Sequence, residues 1–110
     1  MRLPNPERAV VELAKLSDYC LDMRHENGKH KARVFASALG LTQRDAGWLR
    51  DKLLKAVYGE AQRSANTGFG DLYMIDFRLT TSVGTATVRS GWIVLKAENF
   101  PRLTTCYVRK

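Results

Sequence analysis

The chain has 110 residues, with 18 Lys and Arg against 11 Asp and Glu, a net charge of +7 and a hydrophobic fraction of 45%. That length suits a single domain spanning residues 1–110, and the apolar content is that of a chain that buries a core, which excludes a disordered protein. No apolar run approaches the roughly 18 residues of a membrane span, and the stretch from Met1 to Glu7 lacks the apolar core of a secretory leader, so a cytoplasmic protein with polyanionic partners is expected.

After Pro4-Asn5-Pro6, which resists helix, Leu13, Leu16, Cys20 and Met23 recur at spacings of three and four and predict an amphipathic helix ending near Met23. Glu26-Asn27-Gly28 reads as a turn. A second helix follows from about Lys29 to Leu39, with Ala32, Phe35, Ala36 and Leu39 on one face and Gly40 as its C-terminal cap. Thr42 and Asp45 form the pattern of a capping box, and Ala46, Leu49, Leu53, Ala56 and Val57 carry a third helix to about Tyr58.

Beyond Asn66-Thr67-Gly68-Phe69-Gly70-Asp71, which is turn-rich, the apolar period changes to two. Tyr73, Ile75, Phe77 and Leu79 alternate with Met74, Asp76 and Arg78, and Ser82-Val83-Gly84 permits a hairpin into Thr85 to Leu95. A last strand is predicted over Arg102 to Val108, and a weaker one over Glu60 to Ala65. Helices followed by strands without βαβ alternation give an α+β fold: about three N-terminal helices on one face of a C-terminal antiparallel sheet of about four strands.

Cys20 and Cys106 stand far apart, with no clustered Cys/His spacing, so two buried thiols are expected and no metal or other cofactor. The sequence holds no GxSxG, HExxH, P-loop or GxGxxG pattern. The segment with chemistry is Gly28-Lys29-His30-Lys31-Ala32-Arg33, which loads cations onto the first turn of a helix, where the dipole favours anions. A bound phosphate would satisfy both the cations and the free amides; a solvated basic helix end is the competing explanation. At 100° per residue Lys31 lies close to the apolar stripe, whereas His30 and Arg33 point to the polar side. Lys31 therefore either snorkels along the core edge or stands at the rim of a cleft between helix and sheet.

In the third helix Trp48 shares the polar side with Arg44, Asp51, Lys52 and Lys55, where it either stacks on a base or packs under the N-terminal segment. On the strands, parity turns Ala86, Val88, Ser90, Trp92 and Val94 to the core, and Arg89 to the other face. If Cys106 and Val108 also face the core, then Thr105 and Tyr107 join Arg89, with Asp76 and Arg78. These donors and one carboxylate suit a phosphate grip. RNA cleavage without a metal would use His30 as base or acid, with His25 as a second candidate. Lys31 and Arg89 would be the electrostatic stabilisers, and Thr105 and Tyr107 the orienting groups. Lys29, Arg33, Arg44, Trp48 and Lys52 would extend the RNA-binding surface.

The segments Leu3-Pro4-Asn5, Gly28 to Phe35, Leu39-Gly40-Leu41-Thr42, Ala86 to Val94 and Pro101 to Val108 resemble the signature of a bacterial family of small proteins catalogued as a domain of unknown function. The resemblance spans nearly the whole chain. It implies a toxin-like protein with a small antitoxin-like partner from a neighbouring gene, and a helices-then-sheet order similar to barnase and RelE-like ribonucleases. Such an analogy of fold does not establish activity. The sequence departs from barnase in lacking an evident glutamate and histidine pair on its strands. The implied function is a metal-independent toxin ribonuclease acting on RNA; the alternative is a noncatalytic RNA- or protein-binding module.

Overall fold

The computed structural model describes residues 1–109. A 3-10 turn at Pro6–Arg8 precedes α1, a short α-helical turn at Leu13–Lys15 that passes directly into a π-helical segment, Leu16–Cys20. The Leu21 amide donates to the Leu16 carbonyl at 2.8 Å, one residue further back than in an α-helix. This element ends at Cys20, short of the expected Met23. The wider turn lets Leu16, Cys20 and Leu21 all enter the core while Leu13 and Met23 stay exposed.

Helix α2 spans Lys29–Leu39 and ends as its sequence dictates: Gly40 adopts φ 69°, and the amides of Gly40 and Leu41 return to the carbonyls of Ala36 and Phe35. That left-handed turn is open to glycine without a Cβ penalty. The capping box is formed, with Thr42 N–H donating to Asp45 Oδ2 at 2.9 Å. It initiates a 3-10 turn at Gln43–Asp45 that leads into α3, Ala46–Ala56.

Strands β1 (Gln62–Asn66), β2 (Gly70–Thr80), β3 (Thr85–Leu95) and β4 (Pro101–Arg109) form one antiparallel sheet in the order β1-β2-β3-β4. The weak strand predicted over Glu60 to Ala65 is the edge strand β1, with every residue exposed. Val10 adds a parallel bridge to the outer side of β4 at Arg102.

Helices and the sheet's inner face share one core, in which Leu16, Phe35, Leu39, Leu49 and Leu53 meet Ile75, Leu79, Val88, Trp92 and Leu103. Within it Ser90 is the buried polar residue; its Oγ donates to the Ile75 carbonyl at 2.8 Å and accepts from Trp92 Nε1 at 2.9 Å. The indole N–H is thereby satisfied without water.

One irregularity decides what the outer face carries. Gly91 pairs with Thr105 and Trp92 pairs with Leu103, so Thr104 is an extra residue in β4. Strict alternation would turn Leu103 and Thr105 the same way. The bulge buries Leu103 and Cys106 while leaving Thr105 and Tyr107 on the other face.

Candidate functional site

Register aligns two rows across the outer face of the sheet. Gln62, Met74, Gly91 and Thr105 pair in succession from β1 to β4, and Asp76, Arg89 and Tyr107 pair in the adjacent row from β2 to β4. Side chains two apart on a strand share a face, so Met74 and Asp76, and Thr105 and Tyr107, stand side by side. Arg78, Thr87 and Arg109 form the next row.

Onto the β4 end of these rows comes a side chain from the helical layer. Lys31, in the first turn of α2, places Nζ 3.3 Å from Thr105 Oγ1 and 3.3 Å from the Tyr19 hydroxyl. The same ammonium lies 5.2 Å from the Tyr107 ring centroid and 5.4 Å from that of Tyr19. Two aromatic faces and two hydroxyl oxygens hold the cation, but none of the ion pairs among the described residues includes it.

The position of Lys31 follows from Gly28. A Cβ there would stand 2.4 Å from the Tyr19 carbonyl oxygen, so only glycine lets the start of α2 approach the π segment this closely. Beside it, His25 Nδ1 accepts the amides of Asn27 and Gly28 at 3.1 and 3.0 Å, and the ring stands edge-on to Tyr19 at 5.0 Å between centroids. With Nδ1 accepting, the neutral ring carries its proton on Nε2. His25 thus orders the turn that carries Lys31.

Further along the row Arg89 makes a two-pronged contact with Asp76, Nε to Oδ1 at 2.8 Å and Nη2 to Oδ2 at 3.0 Å. Arg109 reaches the same carboxylate at 2.8 Å. The Arg89 guanidinium, with Arg109 assisting, holds the Asp76 carboxyl below its ordinary value. Asp76 in turn raises the pKa of Arg89, which is paired across the strands with Tyr107. Lys31, Tyr107, Arg89 and Asp76 therefore form a continuous polar line from α2 to β2.

Beneath that line Cys20 and Cys106 are fully buried free thiols. Hydrogen bonding to Cys20 and burial push Cys106 well above the usual thiol range.

The other candidate residues lie apart. His30 and Arg33 are exposed on α2, Lys29 is half-buried, and the His30 ring has no hydrogen-bond partner among the described residues. Trp48 is an exposed aromatic that borders a groove with Leu39, Gly40 and Thr81–Val83, at the opposite end of α2 from Lys31. Lys52 Nζ lies 5.1 Å from its ring, and Arg44 is exposed nearby in sequence. Trp48, Lys52 and Arg44 do not join the Lys31 cluster. Tyr19 and Arg109 do join it, although neither carries a signal in the sequence: each is identifiable only once the π turn and the sheet register are known.

Among the described residues no group of three or more His, Cys, Asp or Glu side chains is arranged to hold a metal ion, and no helix is long and apolar enough to cross a membrane.

The profile of a family described as a domain of unknown function, DUF6883, matches residues 2–110. No curated protein matches the chain. Among solved structures, a chain of a contact-dependent growth inhibition toxin–immunity protein complex from Klebsiella pneumoniae 342 superposes with a TM-score of 0.72 at 12% identity, covering 96% of this chain and 97% of that one. At that identity the likeness is one of fold.

Proposed function

This chain belongs to the DUF6883 family, and we propose that it is a toxin-like, metal-independent ribonuclease that grips RNA phosphate at the Lys31 cluster and is neutralised by a small acidic protein. The observation that carries this reading is the Lys31 ammonium, held by Tyr19, Thr105 and Tyr107 and lacking a carboxylate partner among the described residues. A cation kept half-buried without a counter-charge is complemented by an anion, and phosphate fits its donors, with Arg89, whose Nε and Nη2 are held by Asp76, adding positive charge beside it. The net charge of +7 supports both a polyanionic substrate and an acidic partner. The likeness in fold to a chain from a toxin–immunity complex supports a toxin with a dedicated inhibitor.

In this mechanism Lys31 and Arg89 neutralise the non-bridging oxygens as charge develops on phosphorus, and Thr105 and Tyr107 orient the phosphate. His30, exposed next to Lys31 in the first turn of α2, takes the 2′-hydroxyl proton. The 2′-oxygen attacks phosphorus, the bond to the 5′-oxygen breaks, and solvent protonates that oxygen. The products are a 2′,3′-cyclic phosphate and a 5′-hydroxyl. His25 is excluded from this role because its Nδ1 is occupied as an acceptor.

A second reading, a noncatalytic RNA- or protein-binding module, is favoured by one observation: the His30 side chain makes no hydrogen bond to the cluster. Expression without a partner, followed by growth and by RNA integrity, separates the two. Growth arrest with RNA cleavage that Lys31→Met and His30→Ala abolish supports the enzyme. Tight RNA binding with intact RNA supports the module.

A further inference from the structure

Next to the Lys31 cluster, on the β1 side of Arg89, the outer face of the sheet is hollowed into a cavity of about 250 Å³ lined by Glu60, Gln62, Met74, Asp76, Arg89 and Arg109. We propose that this cavity receives the nucleobase of the nucleotide whose phosphate Lys31 holds, which makes it the base subsite of the phosphate site proposed above.

Three features of the cavity choose a base over a second phosphate. Charge comes first. Its lining carries two guanidinium groups and two carboxylates: Asp76 is bonded to both Arg89 and Arg109, while Glu60 is paired with the Met1 ammonium and Arg2, so no guanidinium in the cavity lacks a counter-charge. A neutral, polar pocket does not compete for a phosphate with an ammonium that lacks a counter-charge. It suits an uncharged group rich in donors and acceptors.

Shape comes next. At about 250 Å³ the space is at or below the small end of the roughly 300 to 1,000 Å³ typical of ligand pockets, which suits one planar ring system better than a whole cofactor. Met74 supplies a polarisable thioether floor, and the guanidinium planes of Arg89 and Arg109 supply stacking surfaces. The Gln62 amide, on the exposed edge strand, offers one donor and one acceptor group to a base edge.

Position comes last. Tyr107, Arg89 and Asp76 are paired neighbours on β4, β3 and β2. Strands lie about 4.8 Å apart, so Tyr107 and Asp76 are separated by about 10 Å, within the reach of a single nucleotide from phosphate to base edge. Arg89 belongs to both sites and links them.

The test uses the whole protein and four probes: a nucleoside 3′-monophosphate set, the matching nucleosides, inorganic phosphate and inorganic sulfate, with binding followed by NMR shift titration. In the wild-type protein at least one nucleoside monophosphate is expected to bind about tenfold or more tighter than phosphate. Gln62→Ala and Met74→Ala should each remove most of that advantage while leaving phosphate affinity unchanged. Met74→Leu, which keeps an apolar floor, should retain it and guards against a folding artefact.

If monophosphates and phosphate bind equally, or if Gln62→Ala and Met74→Ala weaken phosphate as much as nucleotide, the base subsite is wrong while the phosphate site stands. If nucleosides bind and perturb Met74 but no probe responds to Lys31→Met, the phosphate reading fails and the base pocket survives.

Discussion

Lys31 of α2 and Thr105 of β4 meet at the edge of the sheet, with Nζ 3.3 Å from Oγ1, although 74 positions separate them in sequence. The pairing depends on two local departures from regular structure. The extra residue Thr104 turns Thr105 outward, and Gly28 admits the first turn of α2 against Tyr19.

The Lys31 contact sets the first expectation. Removal of one preorganised cation from a charge-stabilising site costs on the order of 10²–10³ in rate. Lys31→Met should therefore lower RNA cleavage by about that factor without moving the unfolding midpoint. Lys31→Arg should recover little, because the longer side chain and delocalised guanidinium do not reproduce a compact ammonium placed 3.3 Å from both Thr105 Oγ1 and the Tyr19 hydroxyl. Rate and thermal melt on the same samples check both.

Gly28→Ala tests how the lysine is positioned. The new methyl would overlap the Tyr19 carbonyl, so the start of α2 must shift. The protein should stay folded and lose affinity for phosphate, and the Tyr19 ring signals should move in an NMR spectrum. Unchanged Tyr19 signals and unchanged affinity would show that the close approach does not matter.

Ser90 supplies a stability measurement. Ser90→Ala leaves the Trp92 indole N–H without its partner in the core. The cost of an unsatisfied buried group is about 1–3 kcal/mol, readable by urea unfolding. Ser90→Cys, which keeps a weak donor and acceptor, should fall between the two.

Asp76 gives a pH dependence. Its carboxyl is held below the ordinary value by Arg89 first and Arg109 second. A depressed acid stabilises the fold above its unfolded pKa of about 3.9, and that contribution is lost as pH falls through the lower folded value. Asp76→Asn should therefore be less stable than wild type at pH 7, and the gap should close below about pH 4. A gap that stays constant with pH would remove the ion pair as its cause.

Much of the fold is legible in the sequence because it rests on local rules. Gly40 ends α2, Thr42 and Asp45 start α3, and period-two alternation marks β2 and β3. The end of α1 is not legible, because the π turn answers to packing of Leu16, Cys20 and Leu21 and not to spacing. The sheet face from Asp76 through Arg89 to Tyr107 follows from strand parity alone. Leu103 and Thr105 share a parity yet face opposite ways, which only the bulge at Thr104 explains. Neither Tyr19 nor Arg109 announces its role, since each acts through a tertiary contact. Trp48 does stand among cations as its helical position suggests, but the length of α2 separates it from Lys31.

The most direct measurement is cleavage of total RNA by the purified protein in excess EDTA, with the ends of the fragments identified. Wild-type protein should yield 2′,3′-cyclic phosphate and 5′-hydroxyl ends, and Lys31→Met should leave the RNA intact under the same conditions. Intact RNA with wild-type protein, or equal cleavage by wild type and Lys31→Met, would contradict a ribonuclease built on Lys31.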